Sequence, residues 1–197
     1  MPDPEQPGEL PFRPADAILR PESFLPAADG TEVCAFLNPY DARGAASAHS
    51  AGEAISMAAG RIGPGVRSAI HVHPALTQIT YVTAGTLTAR MRDPGESEPS
   101  RLEVPTGAAV LTEAGTLLQL CNETDRTVEV LYVSTPAYVL ETAADGAIRY
   151  EDALILGADW DAPAVAHWNV ETATQARSRA TARRAEAAGR IAGRTRR

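Results

Sequence analysis

Two histidines separated by one residue, His71-Val72-His73, stand inside a frame of glycines. The frame runs Gly65, five residues, the histidine pair, four residues, Gln78, six residues, Gly85. On a β-strand alternate side chains share a face, so both imidazoles point to the same side. Two imidazoles on one face, followed after a short turn by a third polar side chain, can share one metal ion. The surrounding sequence is strand and turn, which makes a β-barrel interior the natural place for such a pair.

The rest of the chain supports that reading. Residues 33–37, 54–62, 69–73, 77–84, 86–92, 100–104, 108–112, 116–121 and 127–134 are short β-type runs. Gly63-Pro64-Gly65, Asp93-Pro94-Gly95, Pro105-Thr106-Gly107 and residues 122–126 break them, and these residue types favour turns. Many short strands with regular turn signals predict a sandwich or a barrel. A chain of 197 residues suffices for one domain with appendages. Residues 1–30 are expected to form an extended arm, since seven prolines fall within the first 28 positions. Residues 31–142 form the predicted barrel and 143–197 a C-terminal segment. Within that segment, 143–168 is expected to be irregular with a short helix. Residues 170–192 are rich in Ala, Arg, Glu and Gln, which favour helix. Val170 and Ile191 are their only large aliphatics, so a solvated helix or a disordered tail is predicted.

The net charge is −7, and all 18 basic residues are arginine. From Arg177 to Arg197 eight arginines face one acid, Glu186, so the tail carries about +7 and the remainder about −14. An acidic body does not suit a nucleic-acid surface. No apolar run approaches the roughly 20 residues of a membrane span, and the N-terminus lacks a basic start followed by an apolar segment. The expected partner is a small molecule, with no nucleic acid and no membrane. Cys34 and Cys121 are too few and too distant for a disulfide framework. A cytoplasmic protein with both thiols reduced is the expectation, one disulfide between them being the alternative.

The glycine-framed motifs resemble those of the cupin superfamily. The first, G(X)5HXH(X)3–4E(X)6G, is matched in spacing by Gly65, His71, His73, position 78 and Gly85, with Gln78 where glutamate is usual. The second, G(X)5PXG(X)2H(X)3N, is matched by Gly107, Gly115 and Asn122, with Glu113 for the proline and Leu118 for the histidine. The resemblance covers roughly residues 54–135. It implies an all-β jelly-roll barrel, often a homodimer, with one divalent metal ion held inside by histidines and a glutamate. The ligand role carries onto His71, His73 and, as an amide oxygen, Gln78. It cannot carry onto Leu118. His49 and His167 are the chain's other histidines, and either can supply an extra ligand.

The departures have chemical consequences. An amide oxygen cancels none of a dication's charge, so the ion would bind anionic oxygen ligands more strongly. Gln78 cannot act as a general base. Leu118 leaves one coordination position open beside an apolar wall, suiting a hydrophobic substrate. Strand parity places Thr80 and Val82 on the face of Gln78, and Leu120 on the face of Leu118, as pocket-lining residues. Tyr81 points the other way. Gly65, Gly85, Gly107 and Gly115 are expected at turns requiring positive φ. Together with the resemblance, which implies cyclases and related enzymes of polyketide type, these features suggest a metal-dependent enzyme that uses zinc, iron, nickel, manganese or cobalt as a Lewis acid on a small enolisable or keto compound, by isomerisation or cyclisation. The alternatives are an iron or nickel dioxygenase of quercetinase type and a non-catalytic barrel that binds a small ligand.

Overall fold

Alternation of apolar and polar side chains, closed at each end by glycine or proline turns, produces a ladder of antiparallel strands. The computed structural model describes residues 19–40, 54–142, 148–150 and 152–195. The strands are β1 (Leu25–Pro26), β2 (Glu32–Leu37), β3 (Ser56–Ile62), β4 (Ile70–Val72), β5 (Thr77–Ala84), β6 (Thr86–Arg92) and β7 (Ser100–Pro105). They continue with β8 (Ala109–Thr112), β9 (Leu117–Cys121), β10 (Val128–Thr135), β11 (Leu140–Thr142), β12 (Ile148–Tyr150) and β13 (Leu154–Gly157). Two helices follow, α1 (Pro163–Ala166) and α2 (Val170–Thr195). One sheet has the order β1-β2-β3-β10-β5-β8 and the other β13-β4-β9-β6-β7, with β11 and β12 as a separate pair. Among the described residues no helix is long and apolar enough to cross a membrane.

The two large sheets face each other. A single buried cluster draws Ile62, Val82, Val110, Val128 and Val130 from the first sheet and Leu87, Val104, Leu118 and Leu120 from the second. Each such side chain removed from water contributes about 1.5–3 kcal/mol. The inward rows of the first sheet grade from polar to apolar. Ser56, Ser134, Gln78 and Thr112 lie side by side across β3, β10, β5 and β8, and all four are buried. Two residues along, the row is Ala58, Tyr132, Thr80 and Val110, and next come Gly60, Val130 and Val82. The barrel is therefore sealed by hydrocarbon at one end and polar at the other. Gly60 makes this possible. The Tyr132 ring lies against its backbone so closely that a Cβ there would sit 2.3 Å from Tyr132 Cε2.

All four motif glycines adopt positive φ, between 71° and 93°, where L side chains are strained. Asn122 of the second motif clamps its turn. Its amide donates to the carbonyls of Ile62 and Arg126 at 2.8 and 2.6 Å, while its Oδ1 accepts from Thr124 N and Oγ1.

Strands on both sides of residues 31–142 join the sheets. β1 pairs with β2 on one side, and β13 pairs with β4 on the other. Residues 1–18 of the expected arm, and His49, lie outside the described residues. The C-terminal segment forms the helical alternative of its expected states, with most of its side chains exposed. α2 carries a stripe of small residues, and Ala176, Ala180 and Ala187 are buried against the barrel. Alanine allows close approach of helix and sheet, so docking needs no large aliphatics on the helix. Val165, Trp168 and Ala176 pack on Ile70, Val72 and Leu117. Polar contacts fix the seam. Trp168 Nε1 donates to Gly115 O at 2.8 Å, and Arg92, itself buried, donates to the carbonyls of Val165 and Trp168. Gln119, on the outer face as its parity predicts, donates to Ser68 O and Ala158 O and accepts from Trp160 Nε1. Cys34 and Cys121 are free and buried, which settles the disulfide alternative.

Candidate metal centre

The open end of the barrel encloses a cavity of about 100 Å³, room for a few waters or one small organic molecule. His71, His73 and Gln78 all line it. His71 lies on β4, in register with Leu118 of β9, so the position where the second motif usually has histidine is directly beside it. Leu118 itself belongs to the core cluster, as does Val82, and Thr80 is fully buried next to Gln78. Of the four residues expected on the pocket wall, Leu120 is on the lining, and Thr80, Val82 and Leu118 pack behind it. These side chains are buried inside the barrel, but the cavity is shallower than the barrel, because the apolar rows close its far end.

Each imidazole is held by a backbone carbonyl. His71 Nδ1 bonds Ala69 O at 2.9 Å, and His73 Nδ1 bonds Asp152 O at 3.1 Å. A carbonyl only accepts, so each Nδ1 carries a proton, and in the neutral ring that leaves the lone pair on Nε2. This outer hydrogen bond is the usual companion of a metal-bound histidine. The rings stand edge to face with centroids 5.2 Å apart. Bonds of about 2.0–2.1 Å from one tetrahedral ion would set two ring centroids roughly 5 Å apart. Gln78 Nε2 donates to Thr80 Oγ1 at 3.3 Å, which leaves its Oε1 as the atom offered to the cavity. The donor set of two neutral nitrogens and one amide oxygen therefore fits a borderline dication. It is a sparse set. Among the described residues no three His, Cys, Asp or Glu side chains come together as a metal site.

Burial holds His73 well below the ordinary imidazole range, at about 3, with the neighbouring His71 adding to the shift and the Asp152 carbonyl opposing it. His73 is thus neutral at physiological pH. The backbone on either side is also fixed, because Gly115 N donates to His73 O at 3.0 Å. His167 does not reach the cavity. It is exposed at the end of α1, its Nδ1 bonded to Pro163 O at 2.8 Å. The short helix satisfies the ring locally, so the segment that turns back over the barrel presents Ala153 and Ile155 to the cavity instead.

Several lining residues had no place in the sequence reading. Ser134 neighbours Gln78 in the polar row, with Ser56 beyond it. The strand parity of Ser134, following inward Val128, Val130 and Tyr132, is a usable signal. Tyr138 stands edge to face against His73 at 5.7 Å. Asp29 brings a carboxylate whose Oδ1 accepts from Thr31 N and Oγ1 at 3.1 and 2.8 Å. Tyr132 is bonded to Thr31, and burial, reinforced by the charge of Asp29, pushes its phenol up. No arginine is among the described lining residues. Val33, Ala35, Ala58, Leu120, Leu140 and Ile155 make the remaining wall largely apolar.

No protein-family model matches the sequence, and no curated protein does. Among solved structures the chain is similar to the CENP-C cupin domain of Drosophila melanogaster, with 13% identity, a TM-score of 0.45, and coverage of 57% of this chain and 70% of that one. It is similar to KdgF from Halomonas sp. at 16% identity and TM-score 0.43, covering 58% and 86% of the two chains. CapF gives 14% identity and a TM-score of 0.49, over 68% of this chain and 34% of that one. The fold assignment stands on the molecule itself: two facing antiparallel sheets, a histidine pair on an inner strand, and glycine turns at each motif position. On that architecture the chain has the cupin fold.

Proposed function

We propose that this protein is a metal-dependent enzyme acting on a small enolisable or keto compound, of polyketide-like type, by isomerisation or cyclisation. The observation that carries the reading is the pair of imidazoles on one cavity wall, each with Nδ1 tied to a carbonyl and Nε2 left to donate. His71, His73 and Gln78 Oε1 would hold a single divalent ion. When bound, such an ion supplies Lewis acidity to a carbonyl or enolate oxygen. The chain's own residues set the rest. With no arginine among the described lining residues, the ion would be the cation that an enolate oxygen meets. The apolar wall takes the hydrocarbon part and excludes water. Gln78 cannot accept a proton, so we assign proton transfer to Asp29, whose Oδ1 is tied to Thr31 and whose second oxygen is the remaining acceptor. A non-catalytic ligand-binding cavity is the second reading, favoured by the sparse donor set.

Zinc or cobalt titration of protein purified without added metal should show one saturable site. Gln78→Glu should tighten it by on the order of 10- to 100-fold, because a carboxylate adds the charge that the amide lacks. Asp29→Asn should keep the affinity and lose turnover of a 1,3-diketone followed by NMR. Absence of a saturable site moves the assignment to the ligand-binding cavity, and oxygen uptake with an enol moves it to the dioxygenase.

We also place a second copy of this chain on the outer face of the first sheet, making a cytoplasmic homodimer. Ile79, Tyr81 and Leu111 are 42%, 39% and 52% exposed there, Ile79 and Leu111 being register partners on β5 and the edge strand β8. Clustered apolar exposure of this kind marks an interface. Sedimentation equilibrium should give twice the chain mass, falling to one chain in Leu111→Arg, and a monomeric wild type would refute the assignment.

A further inference from the structure

The carbonyl that holds His73 belongs to a residue anchored from the far end of the chain. Asp152 is buried, and its Oδ2 accepts both Val139 N and Arg184 Nη1. Arg184 lies on α2, and its Nη2 donates to Ala137 O at 2.8 Å. One guanidinium thus spans two segments, 137–139 and 152, that meet beneath the cavity. Its side chain is only 12% exposed and that of Asp152 is 0% exposed, so the pair is shielded from the salt screening that weakens surface pairs. One turn further along α2, Ala187 is buried with Tyr40, Ala137 and Val139, which seats the helix at this point.

His71 is held differently. Its carbonyl partner, Ala69, lies two residues away and is pinned by a 2.7 Å bond from its own N–H to Asp29 O. The two imidazoles therefore have separate supports, one local and one delivered by the C-terminal helix.

We propose that α2 is a brace that fixes the ring orientation of His73, and with it the cation affinity of the cavity, through Arg184 and Asp152 as positioning residues. The affinity half of this proposal rests on the metal-site reading; the orientation half does not. Loss of Arg184 removes the bridge from α2 to the buried Asp152 carboxylate and to Ala137 O, so residue 152 shifts and its carbonyl no longer meets His73 Nδ1 in register. Weakening such an outer hydrogen bond typically lowers metal affinity by about 10- to 100-fold.

The test uses the full chain, metal-free, with side-chain nitrogen–proton NMR of the imidazoles. In wild type both rings should show a protonated Nδ1. In Arg184→Gln the His73 signal should broaden or be lost while that of His71 is unchanged, and zinc affinity should fall about tenfold. Arg184→Lys, which keeps the charge beside Asp152, should bring both readouts part of the way back. A general loosening of the fold would disturb both rings alike, and that result, or unchanged rings, overturns the brace. Should Arg184→Gln not fold, Arg184→Lys decides by the same criterion: a His73-selective change supports the brace, and an equal change in both rings refutes it. A wild type that binds no zinc removes the metal reading, while the ring signals still decide the orientation.

Discussion

Replacing His71 and His73 together with alanine is expected to abolish zinc binding, with a loss of at least about a thousandfold, or roughly 4 kcal/mol. Both nitrogen donors go, and the remaining amide oxygen of Gln78 brings no charge. The size of the effect follows from preorganisation. In the wild type each Nδ1 is already committed to a carbonyl, so the rings need neither rotate nor change tautomer to offer Nε2. The double variant also removes one hydrogen bond from each of two carbonyls, Ala69 O still accepting from Ser68 Oγ, and a lost hydrogen bond costs about 0.5–1.5 kcal/mol. Its melting temperature should fall, so the titration belongs at a temperature where circular dichroism shows the β signal intact. Wild-type affinity in that folded variant would remove these histidines from the ligand set.

The barrel was legible because its signal is local. Strands 77–84 and 86–92 coincide with their sequence-based bounds, since inward Gln78, Thr80 and Val82 alternate strictly with outward Ile79, Tyr81 and Thr83, and Gly85 adopts the positive φ the turn between them needs. The same period of two is what places His71, His73 and Gln78 on the cavity wall. It also told that Gln119 faces away from Leu118. The cavity's depth was less accessible, because it depends on how the rows of Tyr132, Val130 and Val82 fill the barrel from the opposite strands.

What escaped the sequence is decided by partners far along the chain. β1 and β13 are two and four residues long, too short for any alternation to declare itself, and exist because β2 and β4 offer free edges. α2 lacks large aliphatics, and hydrophobic patterning undervalued a face whose strength is the closeness that Ala176, Ala180 and Ala187 permit. Asp29, Tyr138 and Asp152 reach the site through loops. Nothing in their local sequence records that the Asp152 carbonyl, 79 residues away, would meet His73.

That same contact makes the apo protein sensitive to acid. The folded pKa of His73, about 3, lies below the unfolded value of 6.5, so the native state refuses a proton that the unfolded chain accepts. Burial is the main cause, since a charged ring in the cavity wall would lose its hydration, and a nearby charged His71 adds repulsion. The sign follows by linkage. Above pH 6.5 both states are neutral at this residue and its contribution is constant. Between 6.5 and 3 the unfolded state binds more protons, and stability falls as pH falls, by up to about 1.4 kcal/mol per pH unit. Below 3 both states are protonated and the slope from this group vanishes. Urea unfolding of metal-free protein at a series of pH values should therefore show a midpoint that declines steadily through pH 6 to 4. His73→Gln, which keeps a hydrogen-bonding side chain without a titrating ring, should flatten that decline. The opposite result, an equal slope in the variant, would mean that carboxylates carry the acid lability and that His73 enters the fold no less willingly charged than neutral. Because the ring is already deprotonated at neutral pH in the folded protein, zinc binding there should release no proton from His73.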